Sequence, residues 1–287
     1  MVTAISPRAL PSRGRPTRPP GRSRLYAYAT LTGRRLMLSL RTPRAILLPL
    51  ATPVLIAVVI APALAKTASP VAGIDYMTYL AVGTAALVVP LSCMQAGLGA
   101  IVDRNTGAQP DLLAAPIPRP LLVLANLSAA LIAGALQVCA LVAFSWWRGA
   151  TFHTTTAGVL WFAGAAAGLA VATYGIAETL ANRIRSEQEY VNAIPTLGIA
   201  PWFFAGSLFP ISSLPGPIAA IAKLLPVTHA LALMRYGVAD PHATDLRGIW
   251  GMTDPTTMAA LSLTVLAAYA AALTLLSIRV FTKAAVR

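Results

Sequence analysis

Charge is scarce in this 287-residue sequence: Asp, Glu, Lys and Arg make up 11% of it, where soluble domains carry about 25%. That deficit, with 57% hydrophobic residues and a mean hydropathy of +0.70, excludes a water-soluble globular protein and points to apolar helices joined by short loops. Cysteine is almost missing. Cys93 and Cys139 each lie inside an apolar run, which excludes a disulfide-stapled fold. The only lysines are Lys66, Lys223 and Lys283, none preceded by glycine, so the Gly-Lys-Ser/Thr end of a phosphate-binding loop is absent. His153, His229 and His242 are far apart, with no partner four residues away, which argues against zinc. The long runs also lack apolar-polar alternation at period two, so a closed membrane barrel gives way to helices.

What is present is six apolar stretches of about 20 residues: Ala45 to Ala65, Thr78 to Ala100, Leu121 to Ser145, Ala157 to Ala181, Tyr190 to Ile211 and Thr256 to Arg279. Each is long enough to cross a bilayer, and an even number puts both termini on one side. Residues 1–44 hold ten Arg and no acid, while the other 12 bases face all nine acids. With the termini inside, 17 bases are cytoplasmic and five (Lys66, Arg148, Lys223, Arg235 and Arg247) are outside, the asymmetry of the positive-inside rule. Basic charge gathered beside the first span fits anionic membrane lipids rather than nucleic acid. Residues 1–23, with five prolines and no apolar block, are expected to form a disordered basic arm. Residues 24–44 mix Leu25, Tyr28, Leu31, Leu36 and Leu40 with Arg24, Arg34, Arg35 and Arg41, the composition of an interfacial amphipathic helix. Residues 45–287 make the six-span domain. The Arg34-Arg35 pair does not head a cleaved signal, because the 21-residue apolar run from Ala45 exceeds the roughly 7–15 residues of a signal core.

Few polar groups remain within the spans. Glu178 is the acid inside a clear span, and charge at mid-membrane costs at least about 2.5–3.5 kcal/mol, so such residues are candidates for function. It lies one turn from Asn182, Arg183 and Arg185, which offers local pairing instead. Ser207 with His229 as base gives a hydrolase reading, but Ala205-Gly206-Ser207-Leu208 lacks the second glycine of a nucleophile elbow, and helix packing is the simpler role. Pro49, Pro53 and Pro62 in the first span and Pro195, Pro201 and Pro210 in the fifth invite kinks. Gly164 and Gly168 have the spacing of close helix approach.

Two stretches are neither span nor ordinary loop. On the inside, Ile101 to Pro120 carries Asp103, Arg104, Asp111, Arg119, an apolar Leu112-Leu113 and four prolines, a docking surface built on a short amphipathic helix. On the outside, Ser212 to Pro226 continues as a short apolar helix, Ile218 to Leu225, too short to span and therefore interfacial or re-entrant.

Those stretches and the first span carry a family resemblance. Arg34-Arg35-Leu-Met-Leu-Ser-Leu-Arg-Thr-Pro-Arg44, leading into Leu-Leu-Pro-Leu-Ala-Thr-Pro53, is one segment. Val102-Asp-Arg-Asn-Thr-Gly107 with Leu112-Leu-Ala-Ala-Pro116-Ile-Pro-Arg119 is the second. The third is Pro201-Trp-Phe-Phe-Ala-Gly-Ser-Leu-Phe-Pro210-Ile-Ser-Ser-Leu-Pro-Gly216, followed by Lys223-Leu-Leu-Pro-Val-Thr-His-Ala230 and Arg235. Together they resemble the type-2 permeases of ABC transporters, in particular the daunorubicin-resistance-like transmembrane subunits of bacterial drug and lipid exporters. The resemblance implies an all-α polytopic membrane protein of six transmembrane helices in the bacterial cytoplasmic membrane. An N-terminal interfacial helix precedes the spans, a cytoplasmic coupling helix joins spans 2 and 3, and a short outer helix joins spans 5 and 6. It implies a non-enzymatic subunit that binds no cofactor, with ATP and Mg held by a separate ATP-binding subunit, and a second permease subunit completing the path. Coupling would then fall to Asp103, Arg104, Gly107, Leu112, Leu113 and Pro116. Arg183, Arg185 and Glu187 make the second cytoplasmic loop, and Pro210, Pro215, Gly216 and Pro226 the outer re-entrant element. The chain departs from the family where Asp103 replaces a usual Glu and where Gly107-Ala-Gln-Pro-Asp111 replaces Gly-Thr-Leu-Glu, so that Pro110 would shorten or tilt the coupling helix. The rival reading is a proton- or sodium-coupled transporter using Glu178, which would call for several buried acids or repeated halves; no internal repeat is present.

Overall fold

Runs that are apolar on every side can satisfy their backbone in lipid only as helices, and helices are what they form. The structure, a computed structural model, describes residues 21–65, 71, 73–115 and 117–284. In chain order its elements are α1 (Gly21–Arg41), α2 (Pro43–Leu55), a π turn (Ile56–Ile60), α3 (Ala61–Ala65), α4 (Tyr76–Asn105), α5 (Ala108–Ala114), α6 (Arg119–Trp147) and α7 (Thr156–Ala181). There follow α8 (Glu187–Ile194), a second π turn (Pro195–Ile199), α9 (Ala200–Phe204), a 3-10 turn (Ile211–Ser213), α10 (Gly216–Ala222), α11 (Pro226–Val238), α12 (Thr244–Trp250) and α13 (Pro255–Ala284). Most of the basic arm expected at residues 1–23 lies outside the described residues, and α1 begins at Gly21.

The core forms around α4 and α7. Helix α4 packs against α2, α6, α7 and α8, while α7 is also shared by α11 and α13. Tyr79, Leu80, Val82, Leu87 and Met94 of α4 and Leu169 and Tyr174 of α7 are almost wholly buried. Helix α1 does more than lie in the headgroup plane. Its Tyr28 hydroxyl is hydrogen-bonded to Ser128 on α6, while Leu25, Tyr26, Met37 and Leu40 stay exposed along the other edge.

Four helices, α4, α6, α7 and α13, are long and apolar enough to cross a membrane, and the α10–α11 pair, bent by 81°, would make a fifth. The other two expected spans are interrupted. The first is the α2–π–α3 run, whose apolar helix Leu50–Leu64 is shorter than the four. The fifth is the α8–π–α9 run, which stops at Phe204 rather than Ile211. Proline explains both π turns. A helix would pair the nitrogens of Pro62 and Pro201 with the carbonyls of residues 58 and 197; proline carries no proton there, and each freed carbonyl lies within a π turn. Pro90, by contrast, is accommodated inside an uninterrupted α4.

Glycine sets the closest approaches, though not at the spacing expected. A Cβ on Gly168 would sit 2.8 Å from Leu266 of α13, and one on Gly175 would sit 2.7 Å from the Leu273 backbone, whereas Gly164 faces open space. The tightest crossing joins α7 to α11, where a Cβ on Gly158 would lie 2.1 Å from the Gly237 carbonyl oxygen. Backbone blocks that position, so Gly158→Ala forces the helices apart and costs about 1–3 kcal/mol. Thermal unfolding in detergent should show the loss, while Gly164→Ala, with nothing within 4 Å, should leave the midpoint unchanged or raised.

Candidate functional site

Polar side chains concentrate at the two ends of the bundle. At the end expected from the charge bias to lie inside, called the inner end, the last turns of α4 present Asp103 to α1. Arg35 Nη1 donates to Asp103 Oδ2 at 2.8 Å and Nη2 donates to the Ala96 carbonyl at 3.1 Å, with Arg34 at 3.5 Å on the other carboxylate oxygen. Arg35 is only 7% exposed. Gly99 makes room for it, since a Cβ there would meet the guanidinium at 2.1 Å. Arg104 turns the opposite way and donates to the Ala181 and Ile184 carbonyls at 3.0 and 2.7 Å, capping the end of α7. Asn105 bridges to Glu187 at the start of α8 at 3.0 Å.

Glu178 is buried beside this cluster, accepting from the Tyr174 hydroxyl at 2.8 Å and the Asn182 amide at 3.0 Å. It borders a cavity of about 30 Å³ with Arg34, Asp103, Gln109 and Leu112, room for one water. The local-pairing role is thus carried by Tyr174 and Asn182, while Arg183 and Arg185 are exposed. Gly107 turns the chain at φ +78° between α4 and α5, a conformation glycine adopts without steric cost. Pro110 falls in the first turn of α5, where a missing N–H is tolerated. Leu112 and Leu113 pack inward against the core, which leaves Asp111 as the exposed charged group of that helix. Pro116 lies outside the described residues.

The opposite end, expected outside and called the outer end, is tied by Arg235, a residue of α11 that is 1% exposed. Its Nη1 donates to Asp245 Oδ2 at 2.7 Å and to the Gly206 carbonyl at 2.9 Å, and its Nη2 donates to the Ser207 carbonyl at 3.0 Å. The guanidinium carbon sits 3.4 Å from the centroid of the Tyr79 ring, a cation–π contact in a desolvated setting. Trp202 Nε1 donates to the Gly83 carbonyl at 2.6 Å and the Tyr79 hydroxyl to Gly206 at 2.8 Å. The turn after α9 is therefore clamped between α4 and α11. On the rim, burial raises the Asp240 carboxyl above its ordinary range against the hydrogen bonds it accepts from Thr244. Bonds from the Thr257 side chain and backbone hold the exposed Asp254 carboxyl below it.

Between these ends the chain makes a hairpin. It leaves α9 at Gly206 and Ser207 and returns to them through Arg235, so α10 and α11 enter and exit at the same end. Pro210 and Pro215 lead into α10, Gly216 opens it, and Pro226 opens α11. The short apolar helix expected at Ile218 to Leu225 is thus α10 plus a break, and the stretch after it, expected outside, holds the buried α11. At 13 residues, α11 is too short to register as a span. Where α10 stops, side chains cap its freed carbonyls: Thr228 Oγ1 donates to Ala222 O at 2.6 Å, and the Tyr269 hydroxyl to Leu224 O at 2.9 Å. His229 Nε2 meets Lys223 O at 2.9 Å and its Nδ1 meets Ser262 at 3.2 Å. A carbonyl only accepts, so Nε2 carries the proton and Nδ1 accepts from Ser262. Ser207 donates to the Trp202 carbonyl at 2.7 Å. His229 and Ser207 are thereby occupied with separate structural partners, and no nucleophile–base pair forms.

The sequence profile of the family described as ABC-2 type transporter matches residues 26–238, from α1 to the last residue of α11. The chain belongs to the ABC-2 type transporter family. No curated protein matches it. It is therefore the membrane permease component of an ABC-type transporter, a multi-pass membrane protein, and the family implies partnership with an ABC ATP-binding subunit. In this permease the two residues that the sequence reading under-used are Arg35 and Arg235. A lone arginine in the apolar run Ala230 to Val238 was the available signal, since a charge there demands a partner; Asp245, ten residues on, supplies it.

Two outcomes follow for the permease. Arg235→Met leaves Asp245 and the Ser207 carbonyl unpaired and should cost about 3–5 kcal/mol, read as a lowered unfolding midpoint in detergent, whereas Arg235→Met with Asp245→Leu should lose less than the two single losses added. At the inner end, Arg35→Met and Asp103→Asn should each release α1 at about 1–3 kcal/mol and the double variant should cost little more than either, because the pair is coupled. Limited proteolysis within α1 measures the release.

Proposed function

We propose that this chain is the permease of an ATP-driven exporter moving a hydrophobic or amphipathic substrate, such as a drug, lipid or glycolipid, across the bacterial cytoplasmic membrane. In this reading both termini are cytoplasmic, and the crossings are α2–α3, α4, α6, α7, α8–α9 and α13, with α10–α11 as a re-entrant pair on the outside. ATP and Mg reside on a separate subunit, and a second permease copy completes the path. The observation that carries the reading is the inner platform. Gly107 turns α5 onto the end of α4, Asn105 joins that turn to α8 through Glu187, and Arg104 joins it to the end of α7. A subunit pressing on α5 therefore pushes on three spans at once. Differential affinity of that subunit for two arrangements of the platform is the energy input such a chain requires.

Apolar surface supports the second copy and the lipid contact. Leu47, Leu55 and Val59 on the α2–π–α3 run and Phe203 and Phe204 on α9 are exposed in the single chain. The exposed Leu25, Tyr26, Met37 and Leu40 edge of α1 faces away from α6, where an interfacial helix meets lipid.

The test is association and hydrolysis with a co-expressed ATP-binding subunit. Asp111→Arg should weaken capture of that subunit by about tenfold or more, as expected for an exposed contact at the centre of a docking site, with the unfolding midpoint of the permease unchanged. Leu112→Asp should instead lower that midpoint, because Leu112 packs on the core. ATP hydrolysis by the purified chain alone, or unchanged capture by Asp111→Arg, would contradict the proposal.

A further inference from the structure

Helices α6 and α7 leave a groove between them toward the outer end of the bundle. Its volume is about 380 Å³, within the range of small-molecule sites. One wall runs along α6 from Val138 and Cys139 to Ala143 and Trp146, and the other is made by Phe152 and, on α7, Phe162. Among the lining residues only the Trp146 indole is a strong hydrogen-bond donor, so a water would not find the two to four polar partners it needs there. Both helices are long and apolar enough to cross a membrane. The 29 residues of α6 measure about 44 Å at 1.5 Å per residue, which matches the roughly 40–45 Å of a bilayer with its headgroup layers, so the ends of α6 stand at headgroup level. Trp146 and Trp147, 70% and 76% exposed, lie at that end, where membrane proteins carry tryptophan. The groove therefore starts beside the headgroups and runs about 12 Å down α6, from Trp146 to Val138, in the direction that lipid chains run.

The shape selects the occupant. Spread over that length, the volume gives a cross-section of about 30 Å², against roughly 80–110 Å² for a helix 10–12 Å in diameter, so one hydrocarbon chain fits and a partner helix does not. Charge at the mouth selects the head. Arg148 follows Trp147 directly, in the turn at Gly149 (φ +105°) that joins the two walls. It is exposed and makes no ion pair among the described residues. We propose that the α6–α7 groove is a binding site for one membrane phospholipid, whose acyl chain fills the groove and whose phosphate pairs with Arg148. The lipid is resident rather than transported, because the exposed faces assigned to the second copy are on α2–α3 and α9 and the groove is on neither; that clause rests on the permease reading.

The experiment is titration of the full chain in detergent with phosphatidylglycerol, the bound lipids being counted by native mass spectrometry. Wild type should hold one more phosphatidylglycerol than Ala143→Phe or Cys139→Phe, each of which puts a ring into the groove. Leu136→Phe, at a side chain of α6 that is 64% exposed and outside the groove, should hold as many as wild type. Arg148→Gln should weaken that lipid by about tenfold or more, the loss of one charge-assisted bond, and diacylglycerol, with the same chains and no phosphate, should bind wild type as weakly. Wild-type retention by both ring variants, or equal affinity of wild type for diacylglycerol and phosphatidylglycerol, would overturn the assignment. All four positions are exposed, so the variants are expected to fold, which their elution profiles verify. In complex with an ATP-binding subunit, hydrolysis should leave the lipid in place. Its release in step with hydrolysis would make it cargo and overturn the assignment while the permease reading stands; a lipid held as described by a chain that captures no ATP-binding subunit would contradict the permease reading alone.

Discussion

A backbone carbonyl freed inside a membrane has no water to turn to, and this permease frees several. The chain stops α9 at Phe204 and α10 at Ala222. Each stop leaves carbonyls that an uninterrupted helix would have satisfied. Arg235 takes those of Gly206 and Ser207, and Thr228, His229 and Tyr269 take those of Ala222, Lys223 and Leu224. The outer hairpin exists because these caps exist. Tyr79 and Asp245 matter in turn because they hold the arginine that holds the turn, and Gly83 because a Cβ there would lie 2.8 Å from the Ser207 carbonyl oxygen.

The inner end answers to a different constraint, the cost of burying a charge without a partner. Arg35 enters the protein under α4 and is matched by Asp103 and the Ala96 carbonyl. That pairing converts a basic helix expected to float at the membrane surface into a fixed flank of α6. Glu178 is buried close by and is satisfied by neutral donors, Tyr174 and Asn182. The result is a tied inner platform whose exposed charged groups include Asp111 on α5, Arg183 and Arg185 on the loop that leads into α8, and Glu187 and Glu189 in the first turn of α8. Tight tethers between α4, α7 and α8 suit the proposed role of this surface, which is to transmit a push rather than absorb it.

Much of this was legible in the sequence, and the remainder was hidden for physical reasons. The helical class, the long apolar α4, α6, α7 and α13, the short inner α5 and the family follow from hydropathy and from quoted segments. What hydropathy reads poorly is a helix that is short, bent or interrupted. The stretch after Ile218 to Leu225 looked like outer loop because α11, with 13 residues, cannot fill a spanning window, although nearly all of it is buried. The prolines at 62 and 201 were visible, but the π turns preceding them depend on where each freed carbonyl can go. Asp103 looked like a docking anchor because a charge at a cytoplasmic helix end reads as solvent-facing; its partner Arg35 lies 68 residues earlier, and pairing at that separation leaves no local pattern. Gly164 and Gly168 shared a spacing, yet the close approaches fall at Gly158, Gly168 and Gly175, since packing is decided by the neighbouring helix.

The central claim, part of the proposed topology, is that α10 and α11 form a hairpin that enters the bilayer from the outside, turns within it and is held there by side-chain caps. Its most direct test is the depth of a nitroxide attached at Ile221→Cys, in a Cys139→Ser background reconstituted in liposomes, measured from its collision rates with oxygen and with a water-soluble nickel chelate. The account predicts an oxygen-dominated signal typical of the bilayer interior, in contrast to a label at His242→Cys on the outer rim, which should be dominated by the chelate. Chelate-dominated collisions at both positions would show α10 lying at the surface and would contradict it.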